Sequence, residues 1–89
     1  MTLSFPNPCR SFDAVRRRVC FWGYARTIEI SFFVGEEVLK HLCPDMSGAE
    51  AGFLKAFDAM RDRIPEIADK AYARAGKRSI ACMLAAEDI

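Results

Sequence analysis

The 89 residues hold 52% hydrophobic and 11% aromatic side chains, with 13 basic against 12 acidic groups and a net charge of +1. A chain of that size buries only about two-thirds of its unfolded surface. The composition predicts one packed domain over residues 1–89, and it excludes a disordered chain, a collagen-like chain and a uniformly basic nucleic-acid protein.

In chain order, Leu3–Phe5 can add a short leading edge strand before the breakers Pro6, Asn7 and Pro8. Asp13-Ala14-Val15 reads as a turn, and a strand follows from about Arg17 to Trp22. Its faces separate Val15, Arg17, Val19 and Phe21 from Arg16, Arg18, Cys20 and Trp22. Thr27–Phe33 alternates cleanly, with Ile28, Ile30 and Phe32 opposed to Glu29, Ser31 and Phe33. A loop at Gly23–Arg26 would pair Trp22 with Thr27 and Phe21 with Ile28, so that the two apolar faces coincide.

The period then changes. Val34, Val38 and Leu42 predict a short helix opened by Glu36 and Glu37 and stopped by Pro44. Ser47 and Glu50 have the spacing of a capping box. Behind them Phe53, Phe57, Met60, Ile64, Ile67 and Ala71 form the strongest stripe in the chain, ended by Gly76. Pro65 interrupts that stripe without breaking its phase, which predicts one long kinked helix. Ser79–Ala85 alternates again and closes the chain as a strand. The expected fold is α+β: a small antiparallel sheet of the hairpin plus the C-terminal strand, covered on one face by a short and a long kinked helix.

Several of these segments together resemble a family of short bacterial proteins designated domain of unknown function 1488. They are Phe5–Pro8, Ser11–Asp13, Val19–Gly23, Ile28–Val34, Val38-Leu39, Ala56–Ala59, Arg61–Ile64 and Ala71–Arg74. The order of these segments carries the resemblance, which spans nearly the whole chain. It implies a small α+β domain, and it carries over no activity and no catalytic residues. Pro65 departs from the helix-forming residue expected at its place.

The opening stretch has no basic start followed by an apolar run, and no segment approaches the roughly 20 apolar residues of a membrane span. A cytoplasmic location is expected, with no membrane partner. Cys9, Cys20, Cys43 and Cys82 lack CxxC spacing and read as free thiols. His41 and Cys43 form an H-x-C pair, but the remaining cysteines would have to converge from three segments to complete a metal site. Lys70, Arg74, Lys77 and Arg78 read as a solvated basic patch. With one histidine and no phosphate-cradling glycine motif, no catalytic residues, cofactor or metal ligands are assigned, and an enzyme is not expected.

Two surfaces remain. Residues 1–30 carry five basic and two acidic groups, and residues 31–60 the reverse. Arg16, Arg17 and Arg18 beside Trp22 could contact nucleic acid by phosphate pairing and base stacking. Equally, those arginines could pair with Glu29 or helix carboxylates. Trp22 and Phe33 place two large aromatics on the face the helices should leave open, which suits a protein interface and a homodimer. The competing account folds Phe5 and Phe12 back over them. The leading expectation is a non-enzymatic interaction or regulatory module, the alternative a nucleic-acid-binding protein.

Overall fold

The computed structural model describes residues 3–5, 10–76 and 80–89. The elements run β1 (Arg10–Asp13), β2 (Arg18–Ala25), β3 (Ile28–Gly35), α1 (Glu36–Leu42), α2 (Glu50–Ala59), α3 (Ile64–Ala75), β4 (Ala81–Met83) and a closing 3-10 turn at Ala86–Asp88. The fold is α+β, with a four-stranded sheet in the order β1-β2-β3-β4. The sheet is mixed, not antiparallel throughout: β1, β2 and β3 form an antiparallel meander, and β4 lies parallel to β3. The reason is the helical crossover. Three helices carry the chain from the end of β3 back to its start, so β4 must run in the same direction as β3.

The hairpin corrects the predicted register. Ala25 pairs with Ile28 across a two-residue loop, Arg26-Thr27, and Phe21 pairs with Phe32. β2 therefore runs on through Gly23–Ala25. Arg26 makes the tight loop by adopting a positive φ of 61°, the conformation such loops require at their first position. Gly23 is needed inside the strand because the Phe5 ring lies against it: a Cβ there would sit 2.5 Å from Phe5 Cε1. The correction moves the partner by an even number of residues, so the faces survive. Val19, Phe21, Ile30, Phe32 and Val34 are all buried. Ile28, expected among them, is 59% exposed because it ends up at the hairpin tip.

Three further expectations are revised. The leading edge strand is β1, not Leu3–Phe5; residues 3–5 contribute one isolated bridge, Ser4 to Tyr24. Their intended breakers, Pro6–Pro8, lie outside the described residues. The Asp13 turn forms as read, with Asp13 Oδ1 accepting the Val15 and Arg16 amides at 3.1 and 3.2 Å. It extends to Arg17, whose φ is 51°, so β2 begins at Arg18. The capping box is absent: Ala49 is the N-cap of α2, and Ser47 Oγ instead accepts the Ala49 amide at 3.2 Å.

The kinked helix is two helices. α2 ends at Ala59, the Ile64 amide donates to Met60 O at 2.9 Å, and α3 starts anew with Pro65 in its first turn. Proline lacks the amide a continuous helix would need and crowds the preceding turn, whereas a first turn has no use for that amide. The stripe stays in phase across the break: Phe53, Phe57, Ile64, Ile67 and Ala71 are buried in one cluster with the strand residues. α3 ends as predicted at Gly76, whose φ of 100° glycine adopts freely and other residues only under strain.

Guanidinium groups pin the periphery. Arg10 of β1 holds Asp58 of α2 through two bonds of 3.1 and 2.8 Å. Arg17 bonds Gly48 O at 2.6 Å and pairs with Glu36 at 3.4 Å. Arg74 grips Asp88 at 3.1 and 2.8 Å and also bonds Met83 O, tying α3 to β4 and the chain's last turn.

Candidate functional site

Strand alternation and register together build the second face of the sheet. Buried residues of β2 and β3 occupy one side, so their neighbours must occupy the other. Four rows result. The first holds Asp13, Arg18 and Gly35; the second Ser11, Cys20, Phe33 and Met83; the third Trp22, Ser31 and Ala81; the fourth Tyr24 and Glu29. Trp22 and Phe33 are thus diagonal neighbours on adjacent strands, close enough for large side chains to touch.

The rows are chemically distinct. In the first, the Arg18 guanidinium lies 3.9 Å above the Phe33 ring, and its Nε stands 3.4 Å from Asp13 Oδ2. That Nε is buried and off the line of a hydrogen bond, so the pairing is electrostatic. Arg16, in the adjoining turn, meets the same carboxylate at 3.4 Å. Asp13 is held below the usual carboxylate range chiefly by the Arg16 backbone amide. In the fourth row the Tyr24 hydroxyl donates to Glu29 Oε2 at 3.2 Å, which raises the tyrosine's pKa.

Between these polar margins lie Cys20, Trp22, Phe33, Ala81 and Met83. Burial pushes the Cys20 thiol up and keeps it in its protonated form. Met83 is 48% exposed, and its terminal methyl lies over Gly35. Trp22 and Phe33 are half-buried. Phe5 and Phe12 are not what shields them. Phe5 packs on Phe21 and Phe32 with centroids 6.0 and 5.7 Å away, and Phe12 meets Phe53 at 4.9 Å, all in the core layer.

The predicted residues are therefore only partly brought together. Trp22, Phe33 and Arg18 share the open face. Arg16 and Arg17 do not share a strand face with Trp22, because they sit in the turn before β2. Met83 and Ala81 were not singled out from the sequence; the alternation of Ile80–Leu84 separates them from Cys82, but only the pairing of β4 with β3 shows which face they join.

The other sequence candidates stay apart. His41 is exposed in the last turn of α1. Cys20, Cys43 and Cys82 are free, and Cys9 lies outside the described residues, as do Lys77 and Arg78 of the second basic patch. Among the described residues no three of His, Cys, Asp and Glu converge as metal ligands would. A groove of about 460 Å³ runs beside α2, lined by Cys43, Met46, Ser47, Gly52, Lys55 and Ala59. No described helix is long and apolar enough to cross a membrane.

The fold and this face define a small α+β protein built on a four-stranded mixed sheet. The chain belongs to the family described as protein of unknown function (DUF1488), whose model matches residues 3–84. A crystal structure of a protein of unknown function from that family, from Shewanella loihica PV-4, is similar in fold. It aligns with a TM-score of 0.69 at 17% identity, over 92% of this chain and 90% of that one. No curated protein matches the chain.

Proposed function

We propose that the protein is a one-domain, non-enzymatic interaction or regulatory module of the bacterial cytoplasm that binds protein through the open face of its sheet. The observation that carries this reading is the placement of Phe5 and Phe12 in the core layer. It takes Phe5 and Phe12 themselves out of any cover over Trp22 and Phe33, and among the described residues an apolar patch lies between two polar margins. Such a patch on so small a chain is the ordinary mark of a protein-binding surface. The helical layer serves as the cover of the opposite face, as the Phe21–Phe57 contact at 5.1 Å supports. The free thiols suit a reducing compartment, and the family relative from Shewanella loihica suits a bacterial origin.

Nucleic-acid binding through Arg16, Arg17, Arg18 and Trp22 is the second reading. It is favoured by Arg16, whose side chain is 65% exposed. It is weakened by prior engagement: each of the three arginines already faces a carboxylate, which phosphate would have to displace.

A photo-crosslinking residue placed at Trp22 in living cells tests the choice, with one at Arg63 in the α2–α3 turn as control. Protein adducts from position 22 alone support the proposal. Adducts that disappear on nuclease treatment overturn it in favour of the arginine reading. No adduct beyond the control overturns it outright.

A further inference from the structure

We infer that the partner on the open face is a second copy of this chain, joined by a two-fold axis that runs across the strands between the second and third rows. This rests on the proposal that the face binds protein, and it goes further by fixing the occupant and the geometry.

Large and small residues alternate across this face. On each of three strands the two middle rows hold one large and one small residue. β2 carries Trp22 and Cys20, β3 carries Phe33 and Ser31, and β4 carries Met83 and Ala81. The order alternates: on β2 the large residue is in the third row, and on β3 and β4 it is in the second. The rows are two residues apart, about 7 Å. A two-fold axis lying midway between them and across the strands exchanges the rows while keeping each strand over its own copy. Trp22 then seats on the second copy's Cys20, Phe33 on its Ser31, and Met83 on its Ala81. Within the two middle rows each projection meets a recess, as close packing between sheets requires.

Charge selects this axis over its rival. An axis along the strands, between β2 and β3, would also set Trp22 on Ser31 and Phe33 on Cys20. It would, however, stack the Arg18 row on the second copy's Arg18 row. The crosswise axis lays the Asp13–Arg18 row, with Arg16 beside it, over the second copy's Tyr24–Glu29 row. Arg18, which shares the Asp13 carboxylate with Arg16, then lies over the second copy's Tyr24, one strand from the glutamate that Tyr24 bonds. Arg26 stands beyond that row, in the hairpin loop. The face is thus complementary to itself in shape and in charge, the condition for an isologous interface.

The test exploits the exchange of positions 20 and 22. Cys20→Trp places a projection on a projection in its own dimer, and Trp22→Cys leaves a recess on a recess. Mixed with each other, the two variants restore one projection per recess at both ends of the β2 pairing. Sedimentation of the purified chains under reducing conditions, from low to high micromolar, should show a wild-type dimer. Each single variant should associate more weakly by roughly tenfold or more, and their equimolar mixture should form a heterodimer close to wild-type affinity. Ser31→Phe and Phe33→Ser form an independent pair on β3 with the same expected behaviour, should Cys20→Trp fail to fold by circular dichroism. A wild-type chain that stays monomeric throughout overturns the inference, while protein adducts from position 22 in cells would leave the binding face itself standing. Single variants that dimerise like wild type also overturn it. So does a mixture without recovery, because along the rival axis positions 20 and 22 never meet.

Discussion

Phe32 and Phe33 are consecutive, aromatic and on the same strand, and they should fail in opposite ways. Phe32 is fully buried; its ring stacks on Phe21 at 5.4 Å and meets Phe5 at 5.7 Å. Phe32→Ala removes a complete core side chain and leaves a cavity, which costs about 3–5 kcal/mol. A chain of this length has about 4–13 kcal/mol in all, so the variant should sit near the edge of folding. Phe33 faces away from the core and is half-buried, with Arg18 above its ring at 3.9 Å. Phe33→Ser loses that cation–π contact, about 0.5–2 kcal/mol for a partly desolvated pair, together with part of one ring's burial. Arg18 keeps Asp13. Urea unfolding at a concentration too low for association isolates the folding term. There Phe33→Ser should lower the midpoint slightly without changing the slope, and Phe32→Ala should lower it severely. At higher concentration Phe33→Ser should weaken association, and Phe33→Ser together with Trp22→Ala should abolish it, while helical circular dichroism persists. Equal destabilisation by the two substitutions in dilute solution would show that the second face is core, and the reasoning about an open sheet would fall.

Three other outcomes follow from contacts elsewhere. Asp88, only 3% exposed, is held below the usual carboxylate range first by its bonds to Arg74, and Asp58 likewise by Arg10 and Arg61. A depressed folded-state pKa stabilises the fold at neutral pH, and that contribution fades as pH falls below about 4 and through the lower folded value. Asp88→Asn should therefore flatten the acid side of a plot of melting temperature against pH; an unchanged acid limb would deny the pairing a role. Gly76→Ala forces a side chain to adopt φ 100° and ψ 150°, a region other residues enter at about 1–3 kcal/mol, and a melting temperature equal to wild type would contradict that geometry. Replacing Arg16, Arg17 and Arg18 together by Gln should leave any weak oligonucleotide affinity and its salt slope unchanged, because these side chains already face Asp13 and Glu36. A loss of both would restore the basic turn as a binding site.

What was legible in the sequence was parity, and what was not was register. The alternation at Val19–Phe21 and Ile30–Phe32 assigns faces whatever the pairing, because a strand's side chains repeat every two residues. Gly23 looks like punctuation, and that shifts the hairpin loop in a reading of the sequence alone. Its real constraint is the Phe5 ring, eighteen residues away and invisible to a local pattern. Arg26, a residue with no turn signature, takes the positive φ instead. The same limit explains Pro65. A stripe in phase on both sides signals a shared buried face, which is true of α2 and α3 together, but it cannot say whether the backbone is continuous across the break. β1 was missed because Arg10–Asp13 is four residues long and pairs only on one side, as an edge strand.

The binding face follows the same division. Trp22 and Phe33 could be placed on it from parity alone, since an error of four residues in register leaves each on its side of the sheet. Parity sets Arg17 on the opposite face, but Arg16 could not be excluded, because where a strand starts is a register question, settled by the Asp13 turn and the positive φ at Arg17. Nor could Met83 and Ala81 be added, because the parallel docking of β4 is the product of three intervening helices. The alternation of large and small residues across β2, β3 and β4 exists only once the strands are set side by side. Shape complementarity is a property of neighbours in space. A sequence can supply the projections and the recesses, but only the register pairs them.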